Sequence, residues 1–440
     1  MELALAAPPC ARLHRRCQWP PRASGSSHAL VAPLERLRGD STIRSLVSTP
    51  PQLSSSFQAF RFVSTDNPEV ALQDIEVFRL FRHYMLHLAT WYDLNDHCRH
   101  FGDRVPVMAR RNPLLLSAIL AFSAASICHS NDGGRRMVEK AEFYHLQSIR
   151  ILLRVTSTIQ DAISNGEMLA AICLLRSFEI ISHNLTSQNH LQGCYSILAS
   201  HSIQLQSESG LARAAFWNYL REDITMALIE RRRLMIDLSD EHLPQELEFD
   251  DDYANHITVR LGQVINKCFS DDLHPFEISI YDALKHNLKT WYDRLPASFT
   301  PITMKASDSS PGSDTGFPFI GTLHGWHAAA RQYYQTAMII LLVAKPNDQE
   351  ASIRDKMTHM LTVAKELEDR ASEICALALS SDSEAVWVNS FGPIAFCGCF
   401  LREQVKLNTI IEAVQDWGGR TGWPVSKIIR CLEDRGNATV

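Results

Sequence analysis

Apolar residues recur at helical spacing along most of this chain, and no stretch alternates in the way that a β-strand requires. The clearest case is 216–237, FWNYLREDITMALIERRRLMID, in which Trp217, Leu220, Ile224 and Leu228 follow one another at spacings of three and four. This spacing places the four side chains on one face of a helix, while charged residues share the rest of the stretch. The pattern predicts an amphipathic helix with a basic end.

Several other features place individual helices. Asn112 followed by Pro113 is a strong helix start, and the apolar run 114–128 after it predicts a buried core helix. That run is too short and too rich in serine to span a membrane. Residues 300–316 concentrate Pro, Gly, Ser and Asp, which predicts a loop. Further helices are predicted at 137–155, 158–182, 190–202, 257–269, 278–295, 324–343, 353–379, 396–415 and 424–432.

The fold is therefore predicted to be all-α, with one large unit of about a dozen helices preceded by a basic tail. Residues 1–60 hold seven arginines, no lysine and three acidic residues, a charge of +4. Because the formal net charge is −6, residues 61–440 carry −10. An acidic body is by itself a poor candidate for binding nucleic-acid phosphates. The tail is rich in Arg, Ser and Pro without an apolar period, so we predict that it is disordered.

The N-terminus has a second interpretation. An Arg- and Ser-rich, acid-poor start is also typical of a mitochondrial transit peptide. Pro8, Pro9, Pro20 and Pro21 would interrupt the amphipathic helix that such a peptide needs, which favours the disordered tail.

The eleven cysteines are odd in number and scattered along the chain, and no secretion signal is evident. Reduced thiols in the cytosol or nucleus are therefore expected.

The common catalytic motifs are missing from the sequence: it has no GxSxG, no GxGxxG after a strand and no GxxxxGK[ST]. His83 and His87 lie one helical turn apart, as two zinc ligands would, and His97 and His100 are close in sequence. The residue after His83 is Tyr84, so the glutamate of an HExxH metalloprotease is missing. We interpret the four histidines as ordinary surface or half-buried residues.

Three further clusters have simpler structural explanations. The aspartates at 250–252 approximate the paired carboxylates that hold Mg²⁺ in some all-α enzymes. No second acidic cluster follows at helical spacing, so a solvated loop or helix N-terminus is predicted. Cys397 and Cys399 lie among apolar neighbours and are predicted to pack in the core. The arginines at 231–233 are predicted to be a solvated helix end.

Since none of these patterns indicates catalysis, the chain is predicted not to be an enzyme.

The segment PCARLHRRCQWP near the N-terminus differs from these clusters. Its Cys10 and Cys17 are separated by six residues, three of which are the arginines Arg12, Arg15 and Arg16. Two thiolates at that spacing, beside arginines that can contact phosphate, are typical of part of a zinc module. Two thiolates cannot complete a tetrahedral zinc site, so from its chemistry alone this is an incomplete metal site.

This segment resembles the closing part of the fungal Zn(2)-Cys(6) binuclear cluster, in which the last two cysteines are six residues apart. The family uses six cysteines to hold two zinc ions, and one stands three positions before the cysteine that Cys10 matches. This chain has Ala7 there. The resemblance implies that Cys10 and Cys17 are remnant metal ligands and that the three arginines are candidates for DNA contact. DNA binding is expected to be weak or lost. No cofactor is expected for this chain, and zinc only if an intact cluster lies upstream.

The body resembles the helical regulatory region that follows such clusters, the fungal-specific transcription factor domain. From Trp217, WNYLREDITMAL matches a family signature of the form W-x-YLRxDI-xxAL. The resemblance covers roughly 68–435. Further blocks follow in the family's order: QVINKCF from Gln263, WYDRLPASFTPI from Trp291, FPFIGTLHGWHAAARQYY from Phe317, ICALALSSD from Ile374, NSFGPIAFCG from Asn389 and GWPVSKII from Gly422.

The resemblance implies a nuclear regulator of transcription of fungal genes, with a secondary-metabolite gene cluster as the expected target. It implies a zinc-cluster remnant at 1–20, a disordered linker at 21–67 and an all-helical regulatory domain at 68–435. Expected partners are DNA, the transcription machinery and family members in homo- or heterodimers, with no membrane contact. The alternative is a helical protein- or ligand-binding module that does not bind DNA and acts through an intact family member. An α-helical enzyme that uses Asp251 or His83 is the remaining hypothesis.

Overall fold

Helices build almost all of the fold, which confirms the all-α prediction. The structure is a computed structural model that describes residues 62–130, 135–155, 166–182, 210–244, 246–269, 277–304, 315–345 and 352–434. Its helices are α1 Pro68–Ala71, α2 Ile75–His83, α3 Ala89–Tyr92, α4 Val105–Ala109, α5 Pro113–His129, α6 Arg135–Val155, α7 Glu167–Ser182, α8 Leu211–Glu230, α9 Asp250–Cys268, α10 Ile278–Asp293, α11 Gly325–Ala344, α12 Ile353–Leu379, α13 Glu384–Cys397, α14 Gln404–Thr421 and α15 Ser426–Glu433. Two strands, β1 Ile302–Met304 and β2 Phe319–Gly321, accompany them.

Helix α5 is buried along most of its length. Every residue of 114–126 is buried, because this run is apolar or small on all sides of the helix. The start of α5 is as predicted, with Pro113 in the first turn. The Asn112 side chain accepts hydrogen bonds from the amides of Leu114 and Leu115 at 2.9 and 3.1 Å. Helices α6 and α7 pack on α5, so the predicted buried core helix is confirmed.

Helix α8 lies between α7 and α13, and α11 packs on α13 farther along the core. The contact between α8 and α13 is close because α13 has a glycine where it meets α8. A Cβ atom added to Gly392 would lie 2.8 Å from the Cα of Thr225 and 3.2 Å from its carbonyl oxygen. A side chain at position 392 would push the two helices apart. Glycine therefore sets the distance between α8 and α13.

The helix predicted at 396–415 is wrong. That range covers the end of α13, the 3-10 turn Gly398–Phe400 and the beginning of α14. The sequence pattern missed α13 because it contains Gly392 followed by Pro393, two residues that normally disfavour a helix interior. Tertiary packing against α8 outweighs that local preference.

A short antiparallel ladder also departs from the prediction, which contained no strand. Strands β1 and β2 pair Ile302 with Gly321 and Met304 with Phe319. Strand β1 lies inside the predicted loop 300–316, so that prediction is wrong for 302–304, and β2 follows the loop. Each strand has three residues, too few for an alternating pattern to be visible in the sequence.

Two predictions fall outside the described residues: the disordered tail and linker up to residue 61, and the helix at 190–202. The linker was predicted to extend to residue 67, and this is wrong for its last residues, because Thr65 is buried and its hydroxyl donates to Oε1 of Gln147 at 2.9 Å. The helix predicted at 158–182 is present as α7 from Glu167 onward. Within the described part of the chain, no helix is both long enough and apolar enough to cross a membrane.

Candidate ligand-binding site

Helix α8, which carries the WNYLREDI wording, is buried on all sides rather than on one. Arg221 and Asp223 are each only 6% exposed. Among its residues, those that are not buried are Arg213, Glu222 and Glu230. The predicted amphipathic helix with a charged exposed face is therefore wrong, and the charges of α8 must be satisfied inside the protein.

The arginine triplet 231–233 ends α8 but does not form a solvated helix end as predicted. Arg231 adopts the left-handed conformation, with a φ of 53°, and terminates the helix. Arg232 turns back toward the helix. Its Nη1 lies 3.1 Å from Oδ1 of Asp223, and its Nε lies 2.8 Å from Oε2 of Glu230. The prediction is wrong for Arg232, which provides the charge partner of a buried carboxylate.

Arg221 is a buried guanidinium that has no carboxylate partner among the described residues. Its Nη2 donates to the carbonyl oxygens of Trp91 and Tyr92, at 3.3 and 3.1 Å, and to Oδ1 of Asn218. The two carbonyls belong to the last turn of α3, where the helix dipole favours a cation. No described residue accepts a hydrogen bond from its Nε or Nη1. The charge of Arg221 is thus only partly compensated by the protein.

Arg176 of α7 is shared by the carboxyl groups of Glu179, which is buried, and Glu222, whose side chain is 13% exposed. It lies 3.9 Å from Glu179 and 3.8 Å from Glu222. Burial raises the pKa of Glu179 to about 7 and that of Glu222 to about 8, and Arg176 offsets only part of this effect. The Glu222 carboxyl is therefore mostly neutral at pH 7.

A cavity of about 230 Å³ lies beside Arg221. The first half of α8, the segment 95–100 and the beginning of α9 form its wall. Several buried polar atoms of this wall have no hydrogen-bond partner among the described residues: both side-chain amide atoms of Asn95, and one Oδ1 each from Asp251 and Asn255. Buried polar groups in proteins usually have partners, so this wall is suited to a small polar ligand.

One side of this cavity is held by an ion pair between His97 and Asp251. Nδ1 of His97 lies 2.8 Å from Oδ2 of Asp251, which also accepts from the His97 amide at 3.0 Å. The hydrogen bond with Asp251 raises the pKa of His97 to about 11, with a further contribution from the sulfur of Cys98. The imidazole is therefore a cation at neutral pH. Asp251 is 5% exposed, so the solvated environment predicted for it is wrong.

The three carboxylates at 250–252 do not converge. They do stand at a helix N-terminus, as predicted, since α9 begins at Asp250. Oδ2 of Asp250 lies 2.9 Å from Nε2 of His327, whereas Asp252 accepts from two backbone amides just before the helix. This arrangement does not provide the clustered oxygens that Mg²⁺ needs. Among the described residues, no three metal-binding side chains come together.

The other three histidines considered in the sequence analysis, His83, His87 and His100, contact neighbouring side chains of the helical unit. The rings of His83 and His87 lie 5.0 Å apart, and burial lowers the pKa of His83 to about 4. Nε2 of His83 lies 3.3 Å from Oγ of Ser126. His100 pairs with Asp96 at 2.8 Å. Each of these contacts is explained by packing and hydrogen bonding within the helical unit.

Of the two cysteines at the end of α13 and in the turn after it, Cys397 packs in the core as predicted. Cys397 is fully buried, its sulfur lies 4.0 Å from Oγ1 of Thr336, and burial raises the pKa of the thiol well above its usual value. The Cys399 thiol is half-buried and donates to the carbonyl of Phe396. The described cysteines form no disulfide.

A larger cavity, of about 680 Å³, lies between α4, α5 and α6. Its wall includes Ile151 and Glu167, which stand on either side of 156–165. None of the described residues that line this cavity has a buried polar atom without a partner, so no ligand is indicated there.

Arg221 was not recognised as a site residue from the sequence, although a signal was present. It follows Trp217 by four positions and precedes Ile224 by three, so helical spacing places it beside the apolar stripe. Its neighbours near Asn95 lie more than 120 positions earlier, and no local pattern connects the two segments. The predicted metal and DNA residues, Cys10, Cys17, Arg12, Arg15 and Arg16, lie outside the described residues.

Comparison with known proteins places this helical unit in a family. The family described as "Fungal specific transcription factor domain" matches residues 79–417. "Transcription activator AMTR1" of Alternaria alternata is 20% identical over an alignment of 473 residues, which covers 78% of this chain and 61% of the relative. The chain thus spans less than two thirds of that relative's length. No solved structure matches it significantly. The match over 79–417 shows that the chain belongs to the fungal-specific transcription factor domain family.

Proposed function

We propose that the chain is a nuclear regulator of transcription in a fungus and that its helical domain, 68–435, controls this activity. The observation that carries the proposal is the family match over 79–417. This range includes α8 and all the residues that line the cavity of about 230 Å³. The similarity to a protein named as a transcription activator supports it. We further propose that its targets belong to a secondary-metabolite gene cluster.

Fusion of the full chain to an unrelated DNA-binding domain tests the regulatory function. Output of a reporter that carries sites for that domain is expected to change severalfold relative to the domain alone, in either direction. A fusion to a helical protein of similar size without regulatory function is the control. An unchanged reporter, with the fusion present in the nucleus and folded by circular dichroism, contradicts the proposed function.

DNA contact is proposed to be weak in a chain of this sequence. The remnant 1–20 would provide two thiolates, Cys10 and Cys17, and positive charge from the arginines between them, and 21–67 would act as a linker. A few arginines give salt-dependent, sequence-independent binding. Partners would be the transcription machinery and family members in homo- or heterodimers.

Zinc content is the matching measurement. The purified 440-residue chain is expected to retain well below two zinc ions per chain after dialysis, because two thiolates supply only part of a tetrahedral site. Elemental analysis of the wild type and of a variant with Cys10→Ser and Cys17→Ser is expected to give the same low content. Two tightly held zinc ions per wild-type chain contradict this prediction.

The cavity of about 230 Å³ beside Arg221 favours a second candidate function. A helical module that binds a small ligand or a protein, and does not itself contact DNA, would use such a cavity to change how it pairs with an intact family member. Mobility-shift assays with the chain alone, and with a family member that has a complete zinc cluster, distinguish the two. A shifted complex that contains this chain only when the second protein is present favours the module.

A further inference from the structure

We propose that a second cavity, which Arg221 also lines, is a binding site for one small monovalent anion of halide, nitrate or formate size. Helices α3, α7, α8 and α13 and the segment after α14 provide its wall, and its volume is about 60 Å³. This inference is independent of the proposed regulatory function.

The wall of this anion cavity is rich in free hydrogen-bond donors. Nε1 of Trp91, Nε1 of Trp423 and Nδ2 of Asn389 have no hydrogen-bond partner among the described residues. The three side chains are 7%, 5% and 7% exposed, respectively. A buried donor without a partner is unfavourable, so three in one wall indicate that an acceptor is expected there.

Neighbouring contacts fix these donors in place. The amide oxygen of Asn389 accepts from the Tyr333 hydroxyl at 2.8 Å, which leaves Nδ2 as the free end of the amide. The ring of Trp423 stacks on Phe391 at 5.9 Å and meets Trp91 edge-on at 6.4 Å. Aromatic packing therefore holds the two indoles, and the hydrogen bond from Tyr333 holds the Asn389 amide.

The hydroxyl groups in the same wall are already satisfied. The Tyr92 hydroxyl donates to Oγ of Ser177 at 2.6 Å, and the Thr225 hydroxyl donates to the carbonyl of Arg221 at 3.0 Å. Of the wall atoms that are buried and have no hydrogen-bond partner among the described residues, three are N–H donors and one, Oε1 of Glu222, is an acceptor.

Charge in the cavity favours an anion over water. Arg221 brings a guanidinium that lacks a carboxylate partner among the described residues. The acid in the wall is Glu222, and burial raises its pKa to about 8, so at pH 7 it is mostly neutral and repels an anion little. A water molecule would bring two hydrogens that need acceptors, whereas an anion only accepts. The wall, with many donors and few free acceptors, suits the anion.

The size of the cavity limits the ligand. This cavity is the smaller of the two that Arg221 lines, about 60 Å³ against about 230 Å³, which favours a halide or an ion of three or four non-hydrogen atoms over a larger organic anion.

Bromide titration followed by tryptophan fluorescence tests the site, because two indoles line it and bromide quenches indoles. Ionic strength is held constant with gluconate. In the full-length chain, quenching is expected to contain a saturable component, and the melting temperature is expected to rise with the same saturation. Trp423→Phe and Asn389→Leu, which keep most of the side-chain volume, are expected to weaken bromide affinity at least tenfold.

Trp387→Phe is the matched control. Trp387 donates its Nε1 to the carbonyl of Ser381 at 2.7 Å and does not line the anion cavity, so this variant is expected to keep the saturable component. Circular dichroism identifies any variant that fails to fold. Quenching that is linear in bromide in the wild type overturns the proposal, and so does saturable quenching with unchanged affinity in both folded cavity variants.

Discussion

Replacing Asp223 with alanine is expected to lower the free energy of unfolding by about 3 kcal/mol. Asp223 is 6% exposed, pairs with Arg232 and accepts from the Met235 amide at 2.7 Å. Its removal leaves a partly buried arginine without its main partner and a backbone amide without an acceptor. The loss is placed at the low end for a broken buried pair because Arg232 retains Glu230. Urea unfolding, followed by circular dichroism, measures the change.

Asp237→Ala is the matched control for Asp223→Ala. Asp237 pairs with Arg233 of the same arginine triplet at 2.8 Å, but its side chain is 89% exposed. An exposed pair of this kind contributes less than about 1 kcal/mol. Equal losses in the two variants would contradict the conclusion that the buried carboxylate of α8 holds the chain that follows the helix.

Replacing Glu222 with glutamine is expected to reduce the loss of stability that the wild type shows as the pH rises. In the unfolded chain the carboxyl ionises near 4.5, whereas burial raises its pKa in the folded chain to about 8. Between these values the unfolded state releases a proton that the folded state keeps, so stability falls as the pH increases and levels off above about 8. From pH 6.5 to 8 this single group costs about 2 kcal/mol.

Unfolding free energies at pH 6.5, 7.25 and 8 test the effect of Glu222→Gln. Burial raises the pKa of Glu179 to about 7, so Glu179→Gln is expected to act in the same direction over the lower part of this window. Glu412→Gln, at an exposed position of α14, is expected to leave the slope of the wild type unchanged. A difference between wild type and Glu222→Gln that stays constant with pH would show that Glu222 is ionised in the folded chain throughout.

The parts of the fold that could be predicted from the sequence are those in which local pattern and packing agree. The boundaries of α12 match the prediction, and α5 is located by its Asn112 cap and by its continuous apolar run. Helix α13 was missed because Gly392 and Pro393 contradict a local helix preference. That glycine is explained only by its contact with Thr225 of α8, a residue 167 positions away.

The candidate site was much less predictable than the fold. Local spacing places Arg221 beside an apolar stripe, but its hydrogen-bond partners come from α3 and its cavities also involve α9 and α13. Sequence reasoning treated the charges of α8 as solvated because charged residues are rarely buried. Asp251 was also predicted to be solvated. Its burial could not be predicted from local sequence, because its partner His97 lies 154 positions earlier.

The contacts of the last helical turns determine which fragments of this protein are useful. Trp423 packs against Trp91, and Lys427 of α15 lies 3.5 Å from Glu230 at the end of α8. The family match ends at residue 417, before both of these side chains. A fragment cut at that boundary for two-hybrid screening or crystallisation would lose both contacts and expose Trp91 and the end of α8. The cut should therefore be made after Glu433.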